Sequence, residues 1–432
     1  MGSSRNGLLS RVSSLMMCAA IAVAAGYVLS APPAAAAEPV TLHFWVAWDP
    51  TLPDAKIAQD QIKQYEASHP GVTIDVQDMS FGAMHDKLVT ALAGGQPPDV
   101  SWGLAEWLGE LNRMGALADL TQPASTWPDR AALYPNALAG LTIDGHLMAL
   151  PHYLGIRALL YHGDLLKQAG IAAPPTRWDE LIADSEKIHA KTGKYGFGVS
   201  DDTVRAPQEL FTLMAQNNVA VAEPRGEGRY RNDWDTDQAQ LGRMTEVLAL
   251  YKTMLDKGAI APNATSWGWE EEDNNFALGQ YAMVMDGSWM HLHVAQYPDS
   301  MKDVAISPPP ALARAATYFE INPLYVYKAS PHPKEAFAFA SFLDSKGYQS
   351  VARPEDSPRM DVTGKDIWGT EFSKLAAIGH AFPPIALGQV ARDMQEAIGR
   401  VLLKKEDPAT VATWLGRAIN KALRQSGELA SS

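Results

Sequence analysis

The sequence has little cysteine, little positive charge and no long apolar run beyond its first segment. A single cysteine, Cys18, stands among 432 residues, so a disulfide framework is excluded. Lysine and arginine number 36 against 49 aspartate and glutamate residues, which gives a net charge of −13. Such a chain lacks the basic surface that sequence-independent binding to nucleic acid or anionic lipid requires. We therefore expect no nucleic-acid partner.

Apolar and aromatic residues are plentiful. Hydrophobic residues make up 47% of the chain, and 12 tryptophans, 14 tyrosines and 11 phenylalanines accompany only 20% charged residues. This composition supplies enough apolar area for a folded core and argues against disorder. The length suggests more than one domain, because a typical domain has roughly 150 residues.

The first 37 residues have the pattern of a secretory signal peptide. Arg5 and Arg11 precede the apolar run Leu15–Leu29, and Ala35 and Ala37 suit the small-residue positions of a cleavage site. The run is shorter than the roughly 20 residues that a membrane-spanning helix needs. We predict cleavage after Ala37, and we expect a soluble, cysteine-free protein in the periplasm.

The remaining chain alternates short apolar strands with amphipathic helical stretches, which is typical of α/β proteins. We predict strands at Val40–Trp48, Val72–Met79 and Asp99–Trp102. Helices are expected over Lys56–Ser68, over Met84–Ala93, from Glu106 onward and through Asn275–Ala282.

The familiar catalytic and cofactor motifs are missing from the sequence. There is no G-x-S-x-G elbow, no H-E-x-x-H, no Walker A loop and no complete G-x-G-x-x-G. His291 and His293 are two residues apart, a spacing that points them away from each other on a helix. We therefore expect no metal site, no cofactor and no catalytic residue. A carboxylate pair for glycoside hydrolysis stays open, because only its separation in space would reveal it.

Aromatic residues stand beside acidic residues at several positions that read as the ends of strands. An aromatic face stacks on the apolar face of a sugar ring, while carboxylates accept its hydroxyl hydrogens. Ligand crevices of open α/β sheets lie at such strand ends. For any one tryptophan, packing in the core is the commoner role. The pattern occurs at Trp45 and Trp48 near Asp49, at Asp99 and Trp102, at Trp267 and Trp269 before Glu270–Asp273, and at Asp286 and Trp289.

In order along the chain, several segments resemble the extracellular solute-binding proteins of sugar ABC transporters, the maltose-binding-like group. The most specific segment is "DGHLMALPHYLGIRALLYHGDLLKQAGIAAPPTRWDELIADSEKI" at Asp144–Ile188. The others are "LHFWVAW", "HPGVTIDV", "KLVTALAGGQPPDVSW", "FALGQYAMVMDGSWM" at Phe276–Met290 and "PHPKEAFAFASFLDS" at Pro331–Ser345.

The resemblance implies a type II periplasmic-binding-protein fold, with two α/β lobes joined by a hinge that the chain crosses three times. Lobe 1 would comprise residues 38–150 and 288–344, and lobe 2 residues 156–284 and 351–432. The hinge crossings would fall near 151–155, 283–287 and 345–353. The resemblance further implies a monomer that captures a sugar or small oligosaccharide between its lobes, without catalysis, and delivers it to the membrane subunits of an ABC importer.

The expected ligand contacts combine the aromatic pattern with the resemblance. They are Trp45, Trp48, Asp99, Trp102, Tyr153, Trp267, Trp269, Asp286, Trp289 and Glu320. One segment departs from the family, since "TYFEINPLYV" at Thr317–Val326 is bulky where relatives are often glycine-rich. Its bulk would either project Tyr318 and Glu320 into the cleft or pack inside the protein.

Three other activities stay open from the sequence. A glycerol phosphodiester would call for arginines in the cleft, with Arg157, Arg314 and Arg359 as candidates. A polyamine would want acids enclosed by aromatics, which Glu270–Asp273 with Trp269 could supply. A secreted glycoside hydrolase is the third alternative.

Overall fold

The structure is a computed structural model that describes residues 38–48 and 53–431. The predicted signal peptide 1–37, its cleavage after Ala37, and Asp49 lie outside the described residues. The described residues contain 14 strands, in chain order β1 (Val40–Val46), β2 (Val72–Asp78), β3 (Val100–Trp102), β4 (Thr142–Ile143), β5 (His146–Leu147), β6 (Leu150–Ile156), β7 (Ala158–His162), β8 (Tyr195–Phe197), β9 (Glu223–Pro224), β10 (Tyr230–Arg231), β11 (Tyr281–Asp286), β12 (Val304–Ser307), β13 (Thr317–Val326) and β14 (Gly379–His380).

The same part of the chain contains 17 α-helices and a few short 3-10 turns, among them Ala105–Trp107 and Ser288–His291. The helices are α1 (Pro53–Ser68), α2 (Phe81–Ala93), α3 (Leu108–Arg113), α4 (Thr121–Ser125), α5 (Pro135–Gly140), α6 (Gly163–Gln168), α7 (Trp178–Thr192), α8 (Arg205–Gln216), α9 (Gln238–Asp256), α10 (Trp269–Ala277), α11 (Leu292–Gln296), α12 (Pro298–Met301), α13 (Pro333–Leu343), α14 (Lys346–Ala352), α15 (Ile367–Leu375), α16 (Leu387–Leu402) and α17 (Pro408–Gln425).

Two sheets organise these elements. The larger sheet has six strands in the order β14-β13-β3-β1-β2, with β6 also paired to β13. Strand β1 runs parallel to β2 and β3, whereas β13 runs antiparallel to β3 and β6. The smaller sheet has four strands in the order β12-β7-β11-β8. The long strand β13 and strand β6 lie where the chain passes from the larger sheet toward β7 of the smaller one.

Each sheet is associated with its own hydrophobic core. The first core contains Leu42, Phe44 and Val46 of β1, which pack against Phe339 of α13. Nearly half of the second core comes from α8, α9, α16 and α17, and the smaller sheet adds residues such as Leu159, Phe197 and Met283. Helices α16 and α17 are strongly amphipathic, so each buries one apolar stripe in this core. No helix in the described ranges is both long and apolar enough to cross a membrane.

The predicted strands and helices near the N-terminus are confirmed with small differences at their ends. The predicted helix from Glu106 begins as the 3-10 turn Ala105–Trp107 and continues as α3. The predicted helix through Asn275–Ala282 was wrong at its C-terminal end, because α10 stops at Ala277. Gly279 then turns the chain with a φ of 65° before β11 begins at Tyr281. A positive φ suits glycine and does not continue a right-handed helix.

The strands of each sheet come largely, but not entirely, from one predicted lobe. Strands β1, β2 and β3 of predicted lobe 1 share the larger sheet, and β7, β8 and β11 of predicted lobe 2 share the smaller one. Two short strands pair across the predicted division. Strand β12 joins the smaller sheet, although the prediction assigned it to lobe 1, and β14 joins the larger sheet, although the prediction assigned it to lobe 2.

Candidate functional site

A cleft of ≈ 290 Å³ lies between elements that flank the two sheets. One side is formed by Trp48 after β1, Asp54 of α1 and Phe81 of α2. Opposite them lie residues of α8 and the first residue of α10, among them Arg205, Gln208 and Trp269. A site that is lined from both sheets suits a ligand that contacts both halves of a protein.

The floor and ends of the cleft come from the strands and turns that connect the two sheets. These residues are Tyr153 of β6, Arg157 between β6 and β7, Trp289 in the turn after β11, Glu320 of β13, and Arg353 and Asp356 after α14. Trp48 and Trp289 follow the carboxyl ends of β1 and β11. This placement agrees with the rule that ligand crevices of α/β sheets form outside the carboxyl ends of strands.

Aromatic side chains supply much of the apolar surface of the cleft. Trp269 is 38% exposed, so its ring is available to a ligand. Trp48 is partly buried and packs edge-on against Phe44, with their ring centres 6.2 Å apart. Tyr153 stacks on Trp102 with an angle of 6° between the rings, and the Trp102 ring is itself buried behind the cleft. These rings offer flat apolar faces of the kind that pack against sugars.

Arg157 holds two of the lining side chains in place. Its guanidinium carbon lies 4.4 Å from the centre of the Trp289 ring, within the range of a cation–π contact. Arg157 Nη2 also donates to Glu320 Oε2 at 3.0 Å. Glu320 Oε1 accepts a further hydrogen bond from Asn322 Nδ2 at 3.0 Å. Arg157 is 1% exposed, so its charge is buried and balanced by Glu320.

Arg205 is surrounded by carboxylates behind the opposite wall. Its Nη1 lies 3.0 Å from Glu272 Oε2 and 3.0 Å from Asp286 Oδ1, and its Nη2 lies 3.1 Å from Asp273 Oδ1. Burial raises the pKa of Glu272 and of Asp273 well above their ordinary values. The guanidinium of Arg205 is therefore enclosed by three buried carboxyl groups.

Arg353 is the third arginine of the cleft. Its guanidinium carbon lies 4.3 Å from the centre of the Tyr153 ring, and its Nη1 lies 3.4 Å from Asp356 Oδ2. Burial raises the pKa of the Asp356 carboxyl, and the positive charge of Arg353 opposes that rise. All three arginines thus have carboxylate partners inside the protein. The charges of these three arginines are therefore paired within the protein.

Half of the predicted ligand contacts line this cleft. These are Trp48, Tyr153, Trp269, Trp289 and Glu320. The bulky segment Thr317–Val326 on β13 was expected either to project into the cleft or to pack inside the protein, and its residues do both. Glu320 projects into the cleft, whereas Tyr318 is buried and donates from its hydroxyl to Glu106 Oε1 at 2.5 Å.

The two predicted aspartates have structural roles instead. Asp99 is buried, and its Oδ2 accepts from the His43 backbone N at 2.8 Å while its Oδ1 accepts from Ser330 Oγ. Asp286 is fully buried and accepts from Arg205 and from the Gly287 backbone N. The expectation that Asp99 and Asp286 contact ligand is therefore corrected, because both side chains are hydrogen-bonded to other groups of the protein.

Three of the predicted tryptophans also lie away from the cleft surface in the described structure. Trp45 packs against the first core from its strand, and Trp102 is buried behind Tyr153. Trp267 contacts both cores and stacks on Tyr281, with ring centres 5.6 Å apart. Their bulk is used for packing, which is the commoner role of tryptophan.

The candidates for the alternative ligands are dispersed. Only Arg157 of the three phosphate candidates lines the cleft. Arg314 lies at a separate cavity of ≈ 340 Å³, and its Nε donates to the Ala215 carbonyl at 2.8 Å. Arg359 is buried and paired with Asp129 and Asp361. In the acidic run, Glu272 and Asp273 pair with Arg205.

Sequence reasoning missed Arg205, Gln208, Arg353, Asp54 and Asp356. Most of their contacts join distant parts of the chain, such as Arg205 with Asp286, Gln208 with Glu106, and Arg353 with Tyr153. Within residues 38–48 and 53–431, no three His, Cys, Asp or Glu side chains are grouped so that they could hold a metal ion.

Comparison with known proteins gives a consistent result. Residues 49–350 match the family model described as bacterial extracellular solute-binding protein. A putative binding protein of Brucella abortus is 26% identical over 366 residues, which cover 81% of this chain and 85% of that protein. A lactose-binding protein of Rhizobium radiobacter is 24% identical over 323 residues, covering 70% of this chain and 71% of that protein.

A solved structure shares the fold. The GacH receptor of Streptomyces glaucescens, determined unliganded and in complex with acarbose, matches with a TM-score of 0.75 at 22% identity. The match covers 89% of this chain and 98% of that chain. The predicted two-lobed α/β fold is therefore confirmed.

Proposed function

The chain belongs to the family of bacterial extracellular solute-binding proteins, and from that premise we propose that it captures a sugar or small oligosaccharide and delivers it to an ABC importer. The observation that carries the proposal is the cleft. Trp48, Tyr153, Trp269 and Trp289 surround it with aromatic faces, and its three arginines and their carboxylate partners present hydrogen-bonding groups without a free charge. An uncharged polyol with apolar ring faces fits this combination.

The contact residues are assigned from this geometry. We assign stacking to Trp48, Trp269 and Trp289, and hydroxyl contacts to Glu320 and Asp356. A phosphodiester is less well matched, because each arginine already has a carboxylate partner. A polyamine is also less well matched to the cleft. Its positive charges need carboxylates, and Glu320 and Asp356 already have arginine partners.

The family consists of binding proteins, and we propose that this chain likewise binds its ligand without catalysis, as a monomer in the periplasm. Ligand between the lobes would favour the closed form by contacting both of them. The predicted lobes and hinge crossings are retained with two adjustments that follow from the sheets. Strand β12 is assigned to lobe 2, and strands β6 and β13 are assigned to the hinge.

A thermal-shift screen tests the proposal. The panel contains lactose, maltose, mannitol and arabinose oligosaccharides, with glycerophosphocholine and spermidine as the charged alternatives. A ligand that binds only the folded state at 100 times its Kd stabilises that state by about 2.7 kcal/mol. We expect a raised Tm with at least one uncharged sugar and none with the charged compounds. A shift with spermidine or glycerophosphocholine alone would instead favour the corresponding alternative.

A further inference from the structure

A continuous set of polar side chains lies beneath the cleft and connects its two sides. Tyr318 of β13 donates to Glu106 Oε1 at 2.5 Å, and Gln208 Nε2 of α8 donates to the same oxygen at 3.0 Å. Arg157 donates from Nη2 to Gln208 Oε1 and to Glu320 Oε2. These bonds link groups from the two sheets and from the strands that connect them.

Glu106 and Gln208 belong to different cores. The turn Ala105–Trp107, which holds Glu106, follows β3 of the larger sheet, and its apolar residues pack on the first core. The apolar residues of α8 around Gln208, such as Leu210 and Leu213, lie in the second core. Their hydrogen bond therefore passes from one proposed lobe directly to the other.

Gln208 uses both ends of its amide in this arrangement. It is 2% exposed, with its NH2 group committed to Glu106 and its oxygen committed to Arg157. Loss of either partner would leave a buried polar atom unsatisfied, which is costly. The position of Arg157, and with it those of Glu320 and Trp289, is thus connected to the contact between the lobes.

We propose that the Glu106–Gln208 contact is a proton-dependent bridge that fastens the two lobes together beneath the cleft and positions Arg157 for ligand binding. Glu106 is a positioning residue, since it does not line the cleft and acts through Gln208, which lines the cleft beside Arg157. The inference depends on the two-lobed organisation and not on the identity of the ligand.

The surroundings of Glu106 give the bridge its dependence on protons. The titratable or charged groups that face it are Tyr318, Glu320 and Tyr325 of β13, with Arg157 one bond further away through Gln208. Helix α16 also packs against the turn that holds Glu106. Just before this helix, the backbone of Ile385 lies close to Gly109 of α3, the helix that follows the turn. Burial, followed by the negative charge of Glu320, raises the pKa of Glu106 to about 7.

The sign of the pH effect follows from this rise. With the lobes together, Glu106 holds its proton more tightly than it would when exposed to water. Raising the pH through about 7 therefore favours separation of the lobes, and lowering it favours the bridge. Glutamine at position 106 would keep an oxygen that accepts from Tyr318 and Gln208 but could not ionise.

Distance measurement between spin labels tests the bridge without any ligand. Cys18 is the single native cysteine, so a Cys18→Ser background accepts labels at Lys87→Cys on α2 and Lys191→Cys on α7, both of which are exposed. Double electron–electron resonance would then record the lobe separation at pH 6 and pH 8 in the full chain. We expect a longer and broader distance distribution at pH 8 than at pH 6.

Three variants distinguish the bridge from a general loss of structure. Glu106→Gln should give the pH 6 distribution at both pH values, and Gln208→Leu should give the longer distribution at both. Gln216→Leu is the matched control, because Gln216 is a buried glutamine of the same helix that bonds to Trp178 and Ala316 instead of Glu106. It should behave as the unmodified chain does.

Three results would overturn the proposal. The first is a Gln208→Leu distribution at pH 6 equal to that of the unmodified chain. The second is a pH response in Glu106→Gln as large as in the unmodified chain. The third is the absence of a pH response in the unmodified chain. If Gln208→Leu does not fold, as judged by circular dichroism, the comparison of Glu106→Gln with the unmodified chain decides. Since no sugar enters this experiment, a failed sugar screen leaves its result unaffected.

Discussion

Trp289 owes its position in the cleft wall to the guanidinium of Arg157, which lies 4.4 Å from the centre of its ring. The same arginine binds Glu320 at 3.0 Å. A stacking face and a hydroxyl acceptor are therefore oriented by one buried cation. Pre-ordering of this kind lowers the entropy that ligand binding must overcome.

At the residue scale, Trp289→Ala should weaken sugar binding about fivefold or more while the protein stays folded, because aromatic stacking contributes roughly 1 kcal/mol beyond buried area. Calorimetric titration with the best sugar of the screen measures the change. Trp414→Ala is a matched control, since Trp414 also lies under an arginine, with Arg400 at 3.9 Å, but on α17 away from the cleft. Equal affinities for both variants would contradict the assignment.

The sequence pattern predicted some of these residues and not others for a physical reason. Trp48 stands at the end of a strand that the alternation of apolar residues locates, and Trp289 was predicted because it stands beside the acidic residue Asp286. Arg353 meets Tyr153 across 200 positions of the chain, and such a contact leaves no local signal. Asp99 resembled a ligand residue because the sequence does not reveal that His43 and Ser330 occupy its carboxylate.

At the element scale, the last helix illustrates how local chemistry sets a boundary. Asp407 precedes α17, and its Oδ2 accepts from the Thr410 backbone N at 2.9 Å and from Thr410 Oγ1 at 3.0 Å. Pro408 occupies the first turn of the helix, where a missing N–H costs nothing. The helix then packs its apolar stripe against α9 and α16.

Asp407→Ala should therefore lower the free energy of unfolding by about 1 kcal/mol, the usual cost of losing an N-cap. Urea unfolding followed by circular dichroism checks the value. Asp407→Asn retains the side-chain oxygen and should recover most of the loss. An equal loss in both variants would show that capping is not the cause.

Sequence reasoning located elements better than it located their partners. The strands around Val40 and Val72 were predicted from alternation, and α1 ends at Ser68, where the predicted helix Lys56–Ser68 also ends. The predicted helix through Ala282 ran too far, because its apolar residues suit a buried strand equally well and Tyr281–Asp286 is buried throughout. Burial on both faces removes the alternation that identifies a strand.

At the scale of the whole molecule, buried acids make stability depend on pH. Burial raises the pKa of Glu209, beside the Arg205 cluster, to about 8, and that of Glu106 to about 7. The folded protein thus keeps protons that the unfolded chain releases near its ordinary carboxyl pKa. This stabilisation is fully present at low pH and is lost as the pH rises through these raised values.

We expect the free energy of unfolding to fall as the pH rises from the ordinary carboxyl pKa toward these raised values, by up to about 1.4 kcal/mol per pH unit for each such group. Above a pH of about 7 the fall should come mainly from Glu209, whose pKa is the higher of the two. Burial lowers the pKa of His152 and of His162, so each adds an opposing rise of stability with pH that is confined to values near and below the ordinary histidine pKa. Glu209→Gln should reduce the slope in urea unfolding, whereas Glu270→Gln, at an exposed position, should leave it unchanged. A slope that is unaltered by Glu209→Gln would contradict this account.

The two sheets are built from stretches that interleave along the chain, and the cleft forms where those stretches cross. Counting residues per domain could not show this arrangement, and the family resemblance supplied it.

A crystal structure of the protein with the best sugar of the screen tests the central claim most directly. We predict ring density in the cleft against Trp48, Trp269 and Trp289, with hydroxyls on Glu320 or Asp356. Sugar density at another surface, with the cleft empty, would contradict it.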